Sequence, residues 1–462
     1  MKRYYQIITF ALSALLLSSC KDFLDVKVYD RTVPKTTEDY SALVHNICSG
    51  IDNGDYSFSA VVGGYASTSG YESIADNMEV NLSASDTRLS YYIGNDLNAK
   101  QSVYTSLYEQ IRNANIILGN LRNDGSQAAN DIYAFSYALR GVCYYQLLRM
   151  FCAPVLAPDA QLGVPIVTEF NMEAKPLRSS VEQTIRQIEN DLRTSLSYNM
   201  QDTMYLFTPD VVHGYLARLY HWCGRWQDAR NEALPLLEKY PILEGEAYKK
   251  MLSRQYGLVG NRMLMADRLS TNNALGLSGT FSELTSRPLS IRFIRLFPEG
   301  KRDVRFQSYW NLKRQNKKLI FSGLRSDELA FIAMESAYHL GNTDQALREL
   351  NDFRAKRITD YVPLTQATLP AVNTTEYIQQ DALGNPLTPL LQAILNERRK
   401  EMYMENGDRW FELKRNGRPE WWIRSKGKKY WTRKYMFTFP LPVADVELVS
   451  GLNQNPGYEE TE

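Results

Sequence analysis

Apolar residues recur at three- and four-residue spacing along several stretches of the chain, which predicts amphipathic helices. In residues 100–122 this spacing is carried by Tyr104, Leu107, Tyr108, Ile111 and Leu118. Residues 129–151 and 178–196 predict two further helices, the second opened by a capping box between Ser180 and Gln183. The pattern therefore favours a mainly helical fold.

Two later stretches carry the spacing of small residues that is typical of a tetratricopeptide repeat, a helix–turn–helix unit of about 34 residues. In residues 211–241, Gly224 stands five residues before Ala229, and residues 328–357 contain a glycine and an alanine at the same spacing. Such repeats bury their apolar faces only by stacking on one another. We therefore expect both units to belong to one helical scaffold, which other structure interrupts along the chain.

Two regions lack a helical period and are expected to form loops and short strands. Residues 50–98 are rich in Gly, Ser, Asn, Asp and Tyr, and residues 255–325 mix short apolar runs with Arg, Gly and Pro. Loops on a rigid helical scaffold commonly carry binding sites. We divide the chain into a leader, an N-terminal helical region, a loop-rich insertion and a C-terminal region, with the bounds 1–19, 20–240, 241–325 and 326–462.

The amino terminus predicts export and lipid anchoring. Lys2 and Arg3 precede an apolar run at residues 7–17, which is too short to span a bilayer and has the size of a signal-peptide core. The following Leu-Ser-Ser-Cys resembles a bacterial lipobox, in which Cys20 is acylated after cleavage. The alternative is an ordinary secretory signal with a chance cysteine. Because two or more acyl chains anchor a protein stably, we expect a body tethered to a membrane.

Composition narrows the classes of function. The formal net charge is +1, from 53 basic and 52 acidic residues, which excludes a general electrostatic attraction to nucleic acid or anionic lipid. The 30 tyrosines and 7 tryptophans supply ring faces that stack on sugars and on partner proteins alike. Beyond Cys20, up to two disulfides could form, although the helical surroundings of two cysteines favour free thiols, among Cys48, Cys143, Cys152 and Cys223.

Residues 396–415 concentrate the candidate chemistry. Glu397 and Glu401 are four residues apart, which gives the separation of about 5–10 Å that the two carboxylates of a glycosidase need. The neighbouring arginines, however, would hold both carboxylates ionised, whereas one of them must stay protonated to act as the acid. We predict instead a structural network of paired charges at a corner between two helices, made by Glu397, Glu401, Arg409 and Arg415.

The bounds of these two helices follow from the turn residues. Residues 387–405 predict one helix that Asn406 and Gly407 end, and Asp408 is placed to cap a second helix over residues 409–415. The four histidines have no metal-ligand spacing. A nucleic-acid surface near the C terminus is the weaker interpretation, and a packed strand region with solvated lysines is favoured for Trp421, Trp422, Lys426, Lys428, Lys429 and Trp431.

A family resemblance runs through the chain. The stretch ERRKEMYMENGDRWFELKRNG resembles the signature helix of the SusD/RagB outer-membrane nutrient-binding lipoproteins of Bacteroidetes, and FTFPLPVADVELVSGLNQNPGY resembles their closing pattern. Further segments follow in the family's order: LYEQIRNANIIL, ALRGVCYYQLLRMFCAPV with GVPIV, RSSVEQTIRQIENDL and LRSDELAFIAMESAYHLGN. The chain departs from the family where CAPV replaces a common Tyr-Gly, and the region 240–325 looks trimmed.

The resemblance implies a mainly α fold, a SusD-like scaffold of tetratricopeptide-like helices with irregular loops and short strands. It implies a lipid-anchored protein facing outward on the outer membrane, which binds a nutrient, often a glycan, and passes it to a SusC-like TonB-dependent transporter. Such a protein performs no chemistry and needs no cofactor. The alternatives are an anchored glycoside hydrolase and a scaffold that binds only protein. Clustered exposed aromatic residues would favour saccharide binding over protein binding.

The resemblance also directs attention to residues 60–98, a segment that commonly contributes to the ligand pocket in this family. We predict ring faces for a sugar from three tyrosines and hydrogen bonds from two planar polar groups: Tyr71, Tyr91, Tyr92, Asp76 and Asn77. The alternative is a packed strand and a simple turn. Because neighbours in a strand face opposite ways, at most one of Tyr91 and Tyr92 can contact the ligand.

Overall fold

The computed structural model describes residues 34–79, 101–253, 257–267, 287–425 and 427–458. The predicted lipidation site, Cys20, lies outside these ranges, as do Tyr91 and Tyr92.

Helices make up most of the described N-terminal region. They are α1 Thr37–Asn53, α2 Tyr56–Val62, α3 Tyr65–Ile74, α4 Gln101–Asn120, α5 Gln127–Phe151 and α6 Val181–Ser197. Two of them lie within residues 50–98, where the prediction of loops and short strands is wrong for residues 56–62 and 65–74. Helix α5 is buried along most of its length and packs against both α4 and α6. The predicted capping box is confirmed, since Ser180 Oγ accepts from the Gln183 amide at 3.0 Å and Gln183 Oε1 accepts from the Ser180 amide at 2.8 Å.

The remaining described helices include both long and short elements. They are α7 Pro209–Trp222, α8 Trp226–Lys239, α9 Gly245–Ser253, α10 Ile291–Ile294, α11 Val304–Tyr309, α12 Ser326–His339, α13 Thr343–Ala355, α14 Pro389–Glu401, α15 Asp408–Arg415 and α16 Val443–Leu448. Three of the short helices, α9, α10 and α11, lie in the region predicted to be rich in loops, whereas α15 and α16 are short helices of the C-terminal region.

The two predicted repeat units are the helix pairs α7–α8 and α12–α13. They stack directly, because α8 packs against α12. Arg230 on α8 fastens the contact by donating to the carbonyl of Ala333 at 2.8 Å and to Glu349 of α13 at 2.6 Å. The insertion therefore interrupts the repeats along the chain but does not separate them in space.

Strands are short and pair as antiparallel hairpins or ribbons. They are β1 Leu162–Pro165 with β2 Arg178–Ser180, β3 Arg262–Met265 with β4 Gly323–Arg325, and β5 Trp421–Ser425 with β6 Lys428–Thr432. The β3–β4 pair joins two distant parts of the loop-rich insertion, and β4 runs straight into α12. A mainly helical architecture with short strands is confirmed.

The N- and C-terminal regions share one apolar core. The largest apolar core contains residues as far apart as Val44 of α1 and Leu452 near the C terminus. A smaller core around Phe293 and Trp310 belongs to the insertion and packs on Tyr403. The four remaining cysteines are free thiols, as predicted for two of them: Cys48, Cys143, Cys152 and Cys223.

Candidate functional site

Helix α14 carries the charged stretch into the interior of the protein. The Glu401 side chain is 0% exposed and accepts hydrogen bonds from three guanidinium groups: Arg305 at 3.1 Å, Arg325 at 3.0 Å and Arg357 at 2.9 Å. Burial alone would raise the pKa of the Glu401 carboxyl, but these guanidinium groups hold that pKa well below its usual range. Glu401 is therefore ionised and sealed from solvent.

Glu397 is equally buried, one turn earlier on α14. It pairs with Arg305, with Arg354 at 2.5 Å and with Lys400 at 2.7 Å. Burial opposes ionisation, yet the three cations hold the pKa of Glu397 well below its usual range. A glycosidase needs one protonated carboxyl and access for a sugar. Neither condition is met by this pair of glutamates.

The two arginines of the predicted network are also buried and paired, and their shortest ion pairs are with carboxylates from other segments. Arg409 donates to Asp76 at 2.6 Å, and Arg415 pairs with Glu335 of α12 at 2.7 Å. Arg398, rather than the four predicted residues, joins the two helices by pairing with Asp408 at 2.5 Å. We call this buried set the ion hub: Glu397, Arg398, Arg399, Lys400, Glu401, Glu405, Asp408, Arg409, Glu412 and Arg415 with their partners.

The corner between α14 and α15 differs from the prediction. Helix α14 ends at Glu401, and Gly407 at φ 66° precedes α15 as its cap residue. A side chain at Gly407 would not fit, because its Cβ would lie 2.4 Å from Cδ2 of Tyr71. The expected Asp408 cap is wrong, since the Asp408 carboxylate turns inward to Arg398.

Three of the predicted ligand residues lie in this same interior. Asp76 binds Arg409 and also Arg399, the latter at 3.1 Å. Asn77 is fully buried, accepts from Arg399 Nε at 2.8 Å and donates to Glu72 at 3.0 Å.

Tyr71 lies in the adjacent apolar core. Its ring packs on Phe411, with ring centroids 4.9 Å apart, and its hydroxyl donates to the sulfur of Met150 at 2.9 Å. A ligand would reach Tyr71, Asp76 or Asn77 only if this packed core opened. In the described conformation, the three residues fix the base of the segment in which ligand contacts were predicted.

An open surface with binding chemistry lies instead at the C-terminal hairpin β5–β6. Trp422 and Trp431 are directly opposite each other across the two strands, and Trp422 is 43% exposed. The Lys429 ammonium lies 4.4 Å from the Trp422 ring centroid, and the Arg433 guanidinium lies 4.1 Å from that of Trp431. We call these four residues the hairpin face.

Strand geometry explains why one tryptophan of a neighbouring pair is exposed and the other is not. Trp421 points inward and is 6% exposed, stacked on Tyr377 with centroids 4.8 Å apart. Because successive side chains of a strand face opposite ways, Trp422 must point out. The predicted strand region forms, with Trp421 and Thr432 packed and Lys429 exposed, but Trp422 is not packed, and Lys426 lies outside the described residues. The Trp-Trp pair itself was the signal that could have revealed the exposed ring.

A cleft of about 630 Å³ adjoins the hairpin face, within the usual size range of small-ligand pockets. Arg433 belongs to both, since it stacks on Trp431 and lines the cleft. The other polar or aromatic lining residues include Asp159, Gln161, Arg418, Glu420, Tyr435 and Asn455. We call this space the hairpin cleft.

The polar groups of the hairpin cleft are held in fixed orientations. Arg418 donates to both carboxylate oxygens of Asp159, at 2.8 and 2.7 Å. The hydrogen bonds from Arg418 lower the pKa of Asp159, whose side chain remains 56% exposed. The buried amide of Asn455 anchors the floor by donating to the Phe151 and Phe439 carbonyls at 2.9 and 2.7 Å. Planar groups held this way can bind hydroxyls in defined directions.

Neither a metal site nor a membrane-spanning helix is found in the part of the chain that the structure describes. There, no group of three or more His, Cys, Asp or Glu side chains is placed to hold a metal ion. No helix within the described ranges is long and apolar enough to cross a bilayer.

Two family models match the sequence. Residues 22–221 match the SusD-like model described as starch-binding and associating with the outer membrane, and residues 307–458 match the SusD family model. Together they include most of the helical scaffold, most residues of the ion hub, and the hairpin. No curated protein matches the chain.

Solved structures share the fold at low sequence identity. A SusD superfamily protein from Bacteroides thetaiotaomicron is 20% identical, with a TM-score of 0.72 over 91% of this chain and 100% of its own. A SusD-like carbohydrate binding protein from Bacteroides vulgatus is 18% identical, with a TM-score of 0.69 over 91% and 98%. A SusD superfamily protein from Bacteroides fragilis is 16% identical, with a TM-score of 0.68 over 91% and 100%.

Proposed function

The chain belongs to the SusD family, and from this membership we propose that it is a nutrient-binding lipoprotein that captures a glycan and delivers it to a SusC-like TonB-dependent transporter. The hairpin face and the hairpin cleft are the proposed glycan site. The name of the SusD-like family model and that of the carbohydrate binding relative from Bacteroides vulgatus support the choice of ligand class.

One observation carries the assignment of the site. A pair of tryptophans at the surface continues, through Arg433, into a cleft of planar polar side chains. Sugars present an apolar face of C–H groups, which stacks on an indole ring, and a rim of hydroxyls, which needs planar donors and acceptors. The hairpin face supplies the indole rings, and the adjoining hairpin cleft supplies the planar polar groups.

Anchoring and delivery complete the proposal. Acylation at Cys20 would hold the protein at the outer membrane, facing the cell surface, beside its transporter. Replacing this residue, Cys20→Ala, is expected to move the protein from the membrane fraction to the periplasmic fraction, as followed by immunoblotting. A variant that stays in the membrane fraction, together with an unmodified Cys20 in the parent by mass spectrometry, would contradict lipid anchoring.

Residues 60–98, the segment predicted from the sequence to contact the ligand, remain part of this proposal. Tyr91 and Tyr92 remain proposed contacts, with at most one of them facing the glycan. Tyr71, Asp76 and Asn77 would support that segment indirectly, because Asp76 and Asn77 bind the ion hub and Tyr71 packs in the apolar core beside it.

The proposal is tested by affinity electrophoresis of the Cys20→Ala protein in gels that contain single polysaccharides. We expect at least one polysaccharide to retard the folded protein without any release of reducing sugar. A folded protein that no polysaccharide retards would favour the protein-binding alternative and overturn the proposal. Release of reducing sugar by the protein would instead favour an anchored glycoside hydrolase.

A further inference from the structure

A second cleft, of about 560 Å³, opens between α9, the turn at residues 300–302 and the end of α13. Cations from several separate segments line it: Lys249, Lys301, Arg302, Lys317 and Lys356. Glu244 is the acidic side chain on its described wall. We call this space the basic cleft.

Most of these cations lack an acidic partner. Within the described ranges, Lys301, Arg302, Lys317 and Lys356 form no ion pair, whereas Lys249 pairs with Glu246 at 2.7 Å. The chain as a whole has a net charge of only +1. The positive charge here is therefore a local concentration and not part of a generally basic surface.

The walls of the basic cleft are fixed to each other. The amide of Val304 donates to the carbonyl of Arg357 at 2.9 Å, and the amide of Thr359 donates to that of Arg302 at 2.9 Å. Arg357 is itself buried and paired with Glu401 and Asp327. The cleft is thus attached to the ion hub through Arg357.

Two of the lysine-bearing segments are also joined along the rim through Gln307. Lys317 Nζ donates to the carbonyl of Gln307 at 3.3 Å, and Gln307 Nε2 donates to the carbonyl of Lys301 at 3.3 Å. Like charges gathered in a concavity repel each other and focus a positive potential. An anionic ligand would relieve this repulsion, and Glu244 is the acidic side chain on the described wall.

We propose that the basic cleft binds the acidic groups, carboxylate or sulfate, of an acidic glycan. Only the choice of a glycan as the source of these groups rests on the proposed function; anion binding by the cleft stands on its own geometry. A bilayer surface fits less well, because the cations line a concavity and its described wall has no exposed aromatic or long apolar side chain to enter lipid. The nutrient is accordingly a polymer that carries negative charge.

The test compares two triple variants of the Cys20→Ala protein with the same loss of charge. One replaces cleft residues, Lys301→Gln, Lys317→Gln and Lys356→Gln. The matched control replaces exposed lysines elsewhere, Lys35→Gln, Lys175→Gln and Lys313→Gln. Calorimetric titrations use polygalacturonate and chondroitin sulfate as acidic probes, amylopectin as a neutral probe and phosphatidylglycerol vesicles as a lipid probe.

We expect the cleft variant to bind the acidic polysaccharides roughly tenfold more weakly than the control variant, with a difference that shrinks as salt is added. Equal affinities of the two variants would overturn the proposal. So would vesicle binding that depends on the cleft lysines without any binding of acidic polysaccharide. If the Trp422→Ala variant binds all probes normally while the cleft variant does not, the basic cleft stands and the hairpin site fails.

Discussion

The ion hub and the hairpin face are neighbours in the sequence and both contain arginine and lysine, yet these side chains differ in their burial and in their partners. In the hub, arginines and glutamates are buried and already paired, as Glu401 is with three guanidinium groups. On the hairpin, Lys429 and Arg433 lie over tryptophan rings at the protein surface. Burial and existing partners, not residue type, separate the scaffold from the binding surface.

The difference is one of free energy as well as position. A buried ion pair gains little net stability, because desolvation offsets most of the attraction, but removing one partner leaves an uncompensated charge. The hub therefore fixes which segments of the chain contact one another, and a substitution in it should lower the free energy of unfolding. Exposed rings contribute little to the stability of the fold, and a substitution of such a ring should weaken ligand binding instead.

The largest expected effect is at the centre of the hub. Glu401→Gln leaves the guanidinium groups around it without their shared carboxylate and should lower the free energy of unfolding by about 3–5 kcal/mol. Urea denaturation followed by circular dichroism measures this. The control is Glu182→Gln, which breaks an exposed pair with Arg186 at 3.4 Å and should cost less than about 1 kcal/mol. Similar losses in both variants would show that the hub is not structural.

The next effect contrasts two adjacent tryptophans. Trp421→Ala removes a buried ring and should lower the free energy of unfolding by about 3–4 kcal/mol, whereas Trp422→Ala should change it by less than about 1 kcal/mol. Thermal melts of both variants under one set of conditions measure the contrast. Equal melting temperatures would contradict the assigned faces of β5.

A smaller effect concerns Asp267, a carboxylate whose pKa is shifted mainly by burial. Burial raises the pKa of Asp267 from 3.8 to about 6, opposed by the hydrogen bond from the Tyr65 amide at 2.8 Å. The folded state thus binds this proton more tightly than the unfolded state does. The contribution of Asp267 therefore becomes less favourable as pH rises from about 4 to about 6.

Asp267→Asn keeps an oxygen acceptor for Tyr65 and removes the charge. It should abolish that pH-dependent loss, which is on the order of 2 kcal/mol, when unfolding free energies are measured between those pH values. The hub responds in the opposite sense, because the lowered pKa of Glu401 gives stability that is present above about 4.5 and lost on acidification. An unchanged pH profile in Asp267→Asn would contradict the assigned dominance of burial.

The spacing of residues that are close in the sequence predicted many of the helices. Helical periodicity located α4, α5 and α6, and the Ser180 capping box marked the start of α6. The spacing of glycine and alanine located both repeat units. These features depend on residues a few positions apart, which a single sequence displays.

Long-range contacts could not be read in the same way. The partners of Glu401 come from residues 305, 325 and 357, in segments with no period that links them to α14. Helix α14 stops early because Met404 and Asn406 adopt positive φ angles of 61° and 52°, which carries the chain back toward the hub. The exposed face of the hairpin was predictable from strand alternation, but only once residues 421–432 were known to form a hairpin.

The central claim is that the hairpin face binds a glycan while the hub only supports the fold. Calorimetric titration of Trp422→Ala with the polysaccharide that the parent protein binds best tests this most directly. We predict an unchanged melting temperature and binding weakened by about 1 kcal/mol, roughly fivefold, because one stacking ring is lost. A folded Trp422→Ala protein that binds this polysaccharide with the parent's affinity would contradict the account.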